Sequence, residues 1–254
     1  MDVSGKVALI TGGATGVGRA TALELAKRGC AVAINYSRSK GEAEEAVEAI
    51  EQHGVNARAI QCDVADDAAV RAMVAQVTRE LGRLDVLVNS AGTTVFVAHP
   101  DLEKLKDEDW DRIFGVNVKG AFNCARAARA ALEASGSGAI VNISSVAGIA
   151  GVGSSIPYAA SKAALNNLTI TLARVMAPKV RVNAVAPGAI QGRWLQAGFG
   201  GGYDRIMENV AQSVPLKRTC TPEDVAHAVL SFVVGSDLVT GQVLVVDGGM
   251  LIRS

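Results

Sequence analysis

Residues 7–18, Val-Ala-Leu-Ile-Thr-Gly-Gly-Ala-Thr-Gly-Val-Gly, constrain this chain more than any other stretch. An apolar run over 7–10 stops at a glycine-rich turn, and the alanine- and leucine-bearing segment 19–27 then reads as a helix. Strand, tight turn and helix in that order gather several backbone N–H groups at one helix N-terminus, where a phosphate can sit. Gly12, Gly16 and Gly18 suit that role, because glycine adopts φ > 0 and lets a ligand approach the backbone closely. A plain strand–helix connection uses the same residues, so the rest of the chain must decide.

The next apolar run, Ala31–Tyr36, ends at the residues that choose a dinucleotide. A site preferring NAD usually presents an acid there to bind the ribose 2′-hydroxyl. Here the sequence reads Asn35-Tyr36-Ser37-Arg38-Ser39, with no acid. Arg38 and the hydroxyls of Ser37 and Ser39 suit a 2′-phosphate, which favours NADP(H) over NAD(H). The alternative is that Arg38 is only a solvated loop charge.

Strands and helices alternate beyond this point. Residues 41–53 carry apolar positions on one helical face, and 56–61 read as a third strand. Asp63 follows, placed either to accept a hydrogen bond from an adenine amino group or to cap the next helix, 67–81. A fourth strand over 84–88 ends in Asn89-Ser90-Ala91-Gly92, a small-residue turn on the carboxyl edge where open α/β sheets bind ligands. Residues 105–132 read as one long helical stretch interrupted by Gly115-Val116-Asn117-Val118-Lys119-Gly120. A fifth strand over 139–143 ends in Ser144-Ser145, and a loop over 146–156 leads to a helix from Tyr158 to about Met176. A sixth strand over 180–185 closes at Pro187-Gly188, and a last helix over 222–234 precedes a final strand over 242–246. The expected fold is α/β: one Rossmann-type doubly wound parallel sheet flanked by helices, a single domain over 1–254. Residues 189–215, with glycines at 198 and 200–202, suit a mobile substrate lid.

Composition narrows the function classes. Lys+Arg and Asp+Glu number 25 each, without a basic tract, which argues against a nucleic-acid partner. No apolar run approaches the roughly 18 residues a membrane helix needs, and the N-terminal residues lack a signal-peptide core. Cys30, Cys62, Cys124 and Cys220 stand apart and read as reduced thiols of a cytoplasmic protein; neither they nor the three scattered histidines suggest a metal site.

Tyr158 and Lys162 lie four apart, one turn along the same helical face. A phenol titrating near pH 10 is a poor base at neutrality, and a neighbouring ammonium favours the phenolate. Such a pair can act as a general acid/base, with Ser145 donating to an oxygen that gains negative charge. Taken alone, Tyr-x-x-x-Lys is also a common exposed helix pair, but these features coincide with the glycine turn.

Together they resemble the short-chain dehydrogenase/reductase family, of the 3-oxoacyl-acyl-carrier-protein-reductase-like type, over essentially the whole chain. Thr11-Gly12-x-x-x-Gly16-x-Gly18 matches the family's cofactor loop, and Asn89-Ser90-Ala91-Gly92 its Asn-Asn-Ala-Gly turn, with Ser90 replacing the second asparagine. Asn117, Ser145, Tyr158 and Lys162 fall where the family's catalytic tetrad falls. The resemblance implies cofactor contacts from Gly12, Thr15, Gly16, Val17, Gly18, Asp63 and Val64. It implies further contacts from Asn89, Ala91, Gly92, Tyr158, Lys162, Pro187, Gly188 and Ile190. It also implies hydride exchange between a nicotinamide and a ketone or secondary alcohol, with Tyr158 as acid/base and Ser145 polarising the oxygen. Lys162 is expected to lower the tyrosine pKa and hold the ribose, and Asn117 to support a proton-relaying water.

One departure stands out: Gly192 occupies the position where the family often has Thr to hold the carboxamide. The family is usually tetrameric. The helices around 121–132 and 159–172 carry small and apolar residues that either meet symmetry mates or pack only on the sheet. A substrate pocket is expected from 95–101, 146–157 and 189–215, and Arg193 either binds a carboxylate or acyl-carrier phosphate or is solvated. The substrate is a small ketone or alcohol, or an acyl thioester. Rival readings are an NAD-dependent alcohol dehydrogenase and a non-catalytic nucleotide-sensing family member.

Overall fold

Successive residues of a strand face opposite ways, so a strand buried on both faces feeds two cores. In β1 (Val7–Thr11) Ala8 and Ile10 enter one core while Val7 and Leu9 enter the other, all of them buried. The computed structural model describes residues 1–252 and repeats this arrangement across seven strands. Following β1 come α1 (Gly16–Ala26), β2 (Ala31–Tyr36), α2 (Lys40–Glu51), β3 (Ala57–Gln61), α3 (Asp67–Leu81) and β4 (Val86–Asn89). Next are α4 (Asp107–Phe114), α5 (Ala121–Ala134), β5 (Gly138–Ile143), α6 (Ala147–Ala150) and α7 (Ile156–Met176). The chain ends through β6 (Val180–Pro187), α8 (Arg193–Phe199), α9 (Tyr203–Ser213), α10 (Pro222–Val234) and β7 (Val243–Val246).

All strand pairs are parallel, in the order β3-β2-β1-β4-β5-β6-β7. Helices α1, α2 and α10 cover one face, with Leu25, Ile50 and Val229 in its core. Helices α3, α5 and α7 cover the other, with Met73, Leu132 and Met176. Chain direction across the sheet reverses between β1 and β4, where a doubly wound fold opens a crevice. Register pairs Thr11 with Asn89, so the two turns that follow these strands stand side by side.

Several local expectations are refined. Asp66, not Asp63, caps α3, accepting from the N–H groups of Ala68 and Ala69. Asp63 accepts instead from Ala65 N–H at 2.9 Å, shaping the turn before that helix. The stretch 105–132 is not one helix: α4 and α5 are joined by a π-helical turn, Gly115–Gly120, which carries Asn117 inward to 1% exposure. α1 begins inside the glycine turn, at Gly16, and α6 occupies part of the expected 146–156 loop. Segment 189–215 is mostly ordered as α8, a 3₁₀ turn (Gly200–Gly202) and α9. Among the described residues no helix is long and apolar enough to cross a membrane.

Candidate active site

The site is assembled where β1, β4 and β5 end. Thr11 Oγ1 accepts from the N–H groups of Ser90 and Ala91, both at 3.1 Å, and so draws the β4 turn onto the glycine turn. The approach is close enough that a Cβ on Gly12 would lie 3.0 Å from Ala91 backbone. A Cβ on Gly18 would lie 2.3 Å from the Gly12 carbonyl oxygen, a clash with backbone that only glycine avoids. Gly12 and Gly16 both have positive φ, 62° and 53°. Open backbone at the first turn of α1, flanked by Thr15 and Val17, fits a dinucleotide pyrophosphate.

Asn35, a polar residue within an apolar strand, braces this cradle from below. Its Oδ1 accepts from Gly12 N–H at 3.3 Å and its Nδ2 donates to the Cys62 carbonyl at 2.9 Å. Asn89 lies beneath the carboxyl edge rather than on it. Its amide donates to Asn142 Oδ1 at 2.8 Å, and Asn142 donates in turn to Thr169 on α7 at 2.9 Å. Ser90, Ala91 and Gly92, all half-buried, continue that turn. A Cβ on Gly92 would stand 3.6 Å from Asn117 Oδ1 and 3.8 Å from Lys162 Nζ, which brings these three residues together.

Ser155 caps α7 by accepting from Tyr158 N–H, and Pro157 fits the first turn, so the helix starts where its tyrosine must be held. The two adjacent serines after β5 are separated by geometry. Ser144 is buried and donates to the Lys162 carbonyl at 3.2 Å, joining β5 to α7. Ser145 and Tyr158 line the same cavity, and the Ser145 hydroxyl accepts from Ala147 N–H at 3.1 Å. Enclosure raises the Tyr158 pKa above its ordinary value, and the neighbouring Ser145 hydroxyl pulls the other way. Lys162 Nζ lies 5.6 Å from the Tyr158 ring centroid and donates to the Ile143 carbonyl at 2.8 Å. Burial brings the Lys162 pKa down to about 8. The expectation that Lys162 lowers the tyrosine pKa therefore does not describe this state: desolvation dominates at Tyr158.

Asn117 is a clamp between elements. Its Oδ1 accepts from Thr93 N–H at 2.8 Å, and its Nδ2 donates to the Thr93 carbonyl and to Ser161 Oγ, both at 3.0 Å. A cavity of about 260 Å³ opens in front of Ser145 and Tyr158, bounded by Phe96, Trp194, Phe199, Met207 and Met250. Among the described residues no charged side chain lines it. Besides Ser145 and Tyr158, its walls come from the three expected segments, with Gly188 and Met250 added; residues 247–252 gave no periodic signal that could have announced Met250. Phe96 lies over Gly198, where a Cβ would fall 2.0 Å from the ring, so α8 docks against the pocket wall through that glycine. A larger cavity, about 340 Å³, lies beside Arg218, Asp224 and Asp247 but contains none of these reactive groups.

Pro187 ends β6, and Gly188 donates to the Val246 carbonyl at 2.8 Å. Ile190 pairs with Cys220 in a short parallel bridge that anchors the start of segment 189–215. Ser37 and Arg38 are exposed beyond β2, and the Arg38 side chain has no partner among the described residues. Val64 is buried against the π-helical turn, where a Cβ on Gly120 would lie 2.6 Å from its side chain. Asp63 stands exposed at the same edge.

A strand-order reversal, a glycine cradle and a cavity faced by Ser145 and Tyr158, with Lys162 buried beside them, define a nicotinamide-dependent oxidoreductase. A family profile described as "Enoyl-(Acyl carrier protein) reductase" matches residues 12–251. The chain is 44% identical over 244 residues to a Streptomyces violaceoruber protein described as a ketoacyl reductase of the granaticin polyketide synthase, covering 96% of this chain and 95% of the relative. It is 41% identical over 248 residues to the 3-oxoacyl-acyl-carrier-protein reductase FabG of Staphylococcus aureus, covering 96% and 98%. A crystal structure of NAD⁺-bound xylitol dehydrogenase superimposes with a TM-score of 0.89 at 32% identity, covering 98% of this chain and all of that one. The chain belongs to the short-chain dehydrogenase/reductase family and is an NAD(P)-dependent oxidoreductase acting on carbonyl or alcohol carbon.

Proposed function

We propose that this enzyme reduces a small ketone or a 3-oxoacyl thioester with NADPH, using Tyr158 as the proton donor. The observation that carries this reading is that Ser145 and Tyr158 line one cavity, with the Lys162 ammonium 5.6 Å from the tyrosine ring. When bound, the nicotinamide supplies hydride. Ser145 donates to the carbonyl oxygen as negative charge develops there. Tyr158, whose raised pKa keeps it protonated at neutral pH, delivers its proton to that oxygen. Lys162 holds the cofactor ribose and stabilises the phenolate left behind. Asn117, by fixing Thr93 and Ser161, keeps α7 and the β4 turn in register and supports a proton-relaying water behind Lys162.

For the cofactor, Gly12, Thr15, Gly16, Val17 and Gly18 cradle the pyrophosphate. Ser37, Arg38 and Ser39 receive the 2′-phosphate, and Asp63 and Val64 border the adenine. Ala91 and Gly92 approach the ribose, Asn89 supports them from beneath, and Pro187, Gly188 and Ile190 border the nicotinamide. Segment 189–215 serves as lid. The exposed faces of α5 and α7 and of β7 support a homotetramer, and the four buried thiols suit a cytoplasmic setting.

The rival reading, an NAD-dependent alcohol dehydrogenase, draws on the likeness to the NAD⁺-bound xylitol dehydrogenase. Titration with both reduced cofactors separates them: tighter NADH binding overturns the Arg38 argument. Tyr158→Phe is expected to lower turnover of a ketone and 3-oxoacyl thioester panel by about 10²- to 10⁴-fold, with NADPH affinity nearly unchanged. Unchanged turnover rules out the assigned proton donor.

A further inference from the structure

Arg193 stands apart from the substrate cavity, although it opens the first helix of the lid segment. Its guanidinium reaches over the cofactor crevice instead. One terminal nitrogen donates to Thr15 Oγ1 at 3.1 Å and to Ser39 Oγ at 3.2 Å; the other pairs with Glu42 Oε1 at 2.6 Å. Thr15 and Ser39 are the N-cap residues of α1 and α2, yet neither hydroxyl caps its own helix. Both are turned to Arg193. The arginine thus spans the two helix starts that border the cradle, one beside the glycine turn and one beside Arg38.

Its route there depends on Gly192, which has φ 137°, a conformation L side chains rarely adopt. The Gly192 N–H donates to Tyr203 Oη at 3.1 Å, fixing this bend against α9. Glycine in place of the family's threonine is thereby accounted for: it turns the chain so that the next residue crosses the crevice. Glu42 poses the opposite problem. A carboxylate in the first turn of α2 repels a phosphate, and Arg193 is the cation paired with it, holding its carboxyl below the usual range.

We propose that Arg193 is a second phosphate-binding arginine, facing Arg38, that couples the lid to the adenosine half of the dinucleotide. Arg193 rests on Glu42, Thr15 and Ser39; with dinucleotide present it pairs with a phosphate and carries the start of the lid with it. This rests on the NADP(H) reading above. A planar guanidinium suits the task because it can serve carboxylate and phosphate at once.

Calorimetric titration of the full chain with NADPH, NADH and 2′,5′-ADP tests it. Arg193→Ala is expected to weaken NADPH binding about tenfold or more, the scale of one charge-assisted hydrogen bond lost. Arg193→Lys recovers part of the loss, since it restores charge without the fork. Loss confined to NADPH and 2′,5′-ADP assigns the 2′-phosphate; loss shared by NADH assigns the pyrophosphate. Coupling is read from Trp194, made the sole tryptophan by Trp110→Phe. Its emission should shift on saturation with 2′,5′-ADP, which carries no nicotinamide, and should not shift when Arg193→Ala is added. Unchanged affinity for both dinucleotides in Arg193→Ala overturns the inference while leaving the enzyme assignment intact. Failure of the wild-type chain to bind either dinucleotide overturns the functional reading itself.

Discussion

Lys162 is a buried cation whose ammonium donates to a backbone carbonyl, and its pKa near 8 gives the reaction a pH signature. Below about 8 the side chain is charged; as pH rises through that value it loses its proton and its ability to stabilise the Tyr158 phenolate. Tyr158 itself titrates above its ordinary value, so it stays protonated throughout this window and remains a competent acid. The profile of kcat/KM reports groups of the free enzyme. For ketone reduction it should therefore be level from pH 6 to 7.5 and fall above pH 8, by about tenfold per unit once Lys162 is the limiting group. Initial rates across pH 6–10 at fixed NADPH check this, and a reductive kcat/KM that climbs between pH 7 and 9 contradicts it. Much of this was absent from the sequence. A four-residue spacing puts Tyr158 and Lys162 on one face, but whether the ammonium or the surrounding apolar walls govern the phenol depends on where Nζ points, which spacing does not encode.

At the scale of elements, what positions the tyrosine is the attachment of α7 to the sheet. Asn89 on β4, Asn142 on β5 and Thr169 on α7 form a buried polar ladder, completed when Thr169 Oγ1 donates to the Leu165 carbonyl at 2.8 Å. Thr169→Val keeps the shape but leaves Asn142 Nδ2 without its acceptor. The expected cost is about 1–3 kcal/mol, read as a lower urea midpoint at unchanged m-value. Activity should fall by less than in Tyr158→Phe, because the helix is loosened and no reacting group is lost. A urea midpoint equal to the wild type would show that the ladder contributes nothing net. Strand and helix order were legible because apolar runs end at small-residue turns. The ladder was not, because Asn89 and Asn142 sit at strand ends where polar residues look like site residues. The π-helical turn was visible only as a disturbance: glycines flanking Asn117 announced poor helix, and only the fold reveals the clamp onto Thr93 and Ser161. Arg193 was ambiguous for the same reason, since nothing in sequence says which crevice a lid residue crosses.

At the scale of the whole molecule, two of the surfaces with exposed apolar residues bear on assembly. One is β7 at the sheet edge, where Leu244 and Val245 are 41% and 37% exposed, beside Leu238 and Val234. A parallel sheet is ordinarily covered on both faces, and an exposed apolar edge strand invites pairing with another chain. The other lies on the outer sides of α5 and α7, where Phe122, Ile170 and Val175 are exposed. Ala163, Asn167, Ile170 and Arg174 follow each other at helical spacing, so the exposed face of α7 mixes apolar with polar residues. The homotetramer proposed above would have dihedral symmetry if each of these two faces met its own copy about a two-fold axis. Mass photometry should therefore find a species near four times the 26.1 kDa chain mass. Ile170→Arg places a charge on that face of α7 and should yield dimers held through β7. Leu244→Lys should yield dimers of the other kind, and the double variant monomers with unchanged circular dichroism. A wild-type chain that runs as a monomer at micromolar concentration overturns the assembly. Tetramers that persist in both single variants show that these faces are not the ones used. A contact at β7 would also bear on the site, because Val246 leads into the segment that supplies Met250 to the cavity wall. Leu244→Lys should thus raise KM for the ketone more than Ile170→Arg does, and equal effects would separate assembly from the pocket.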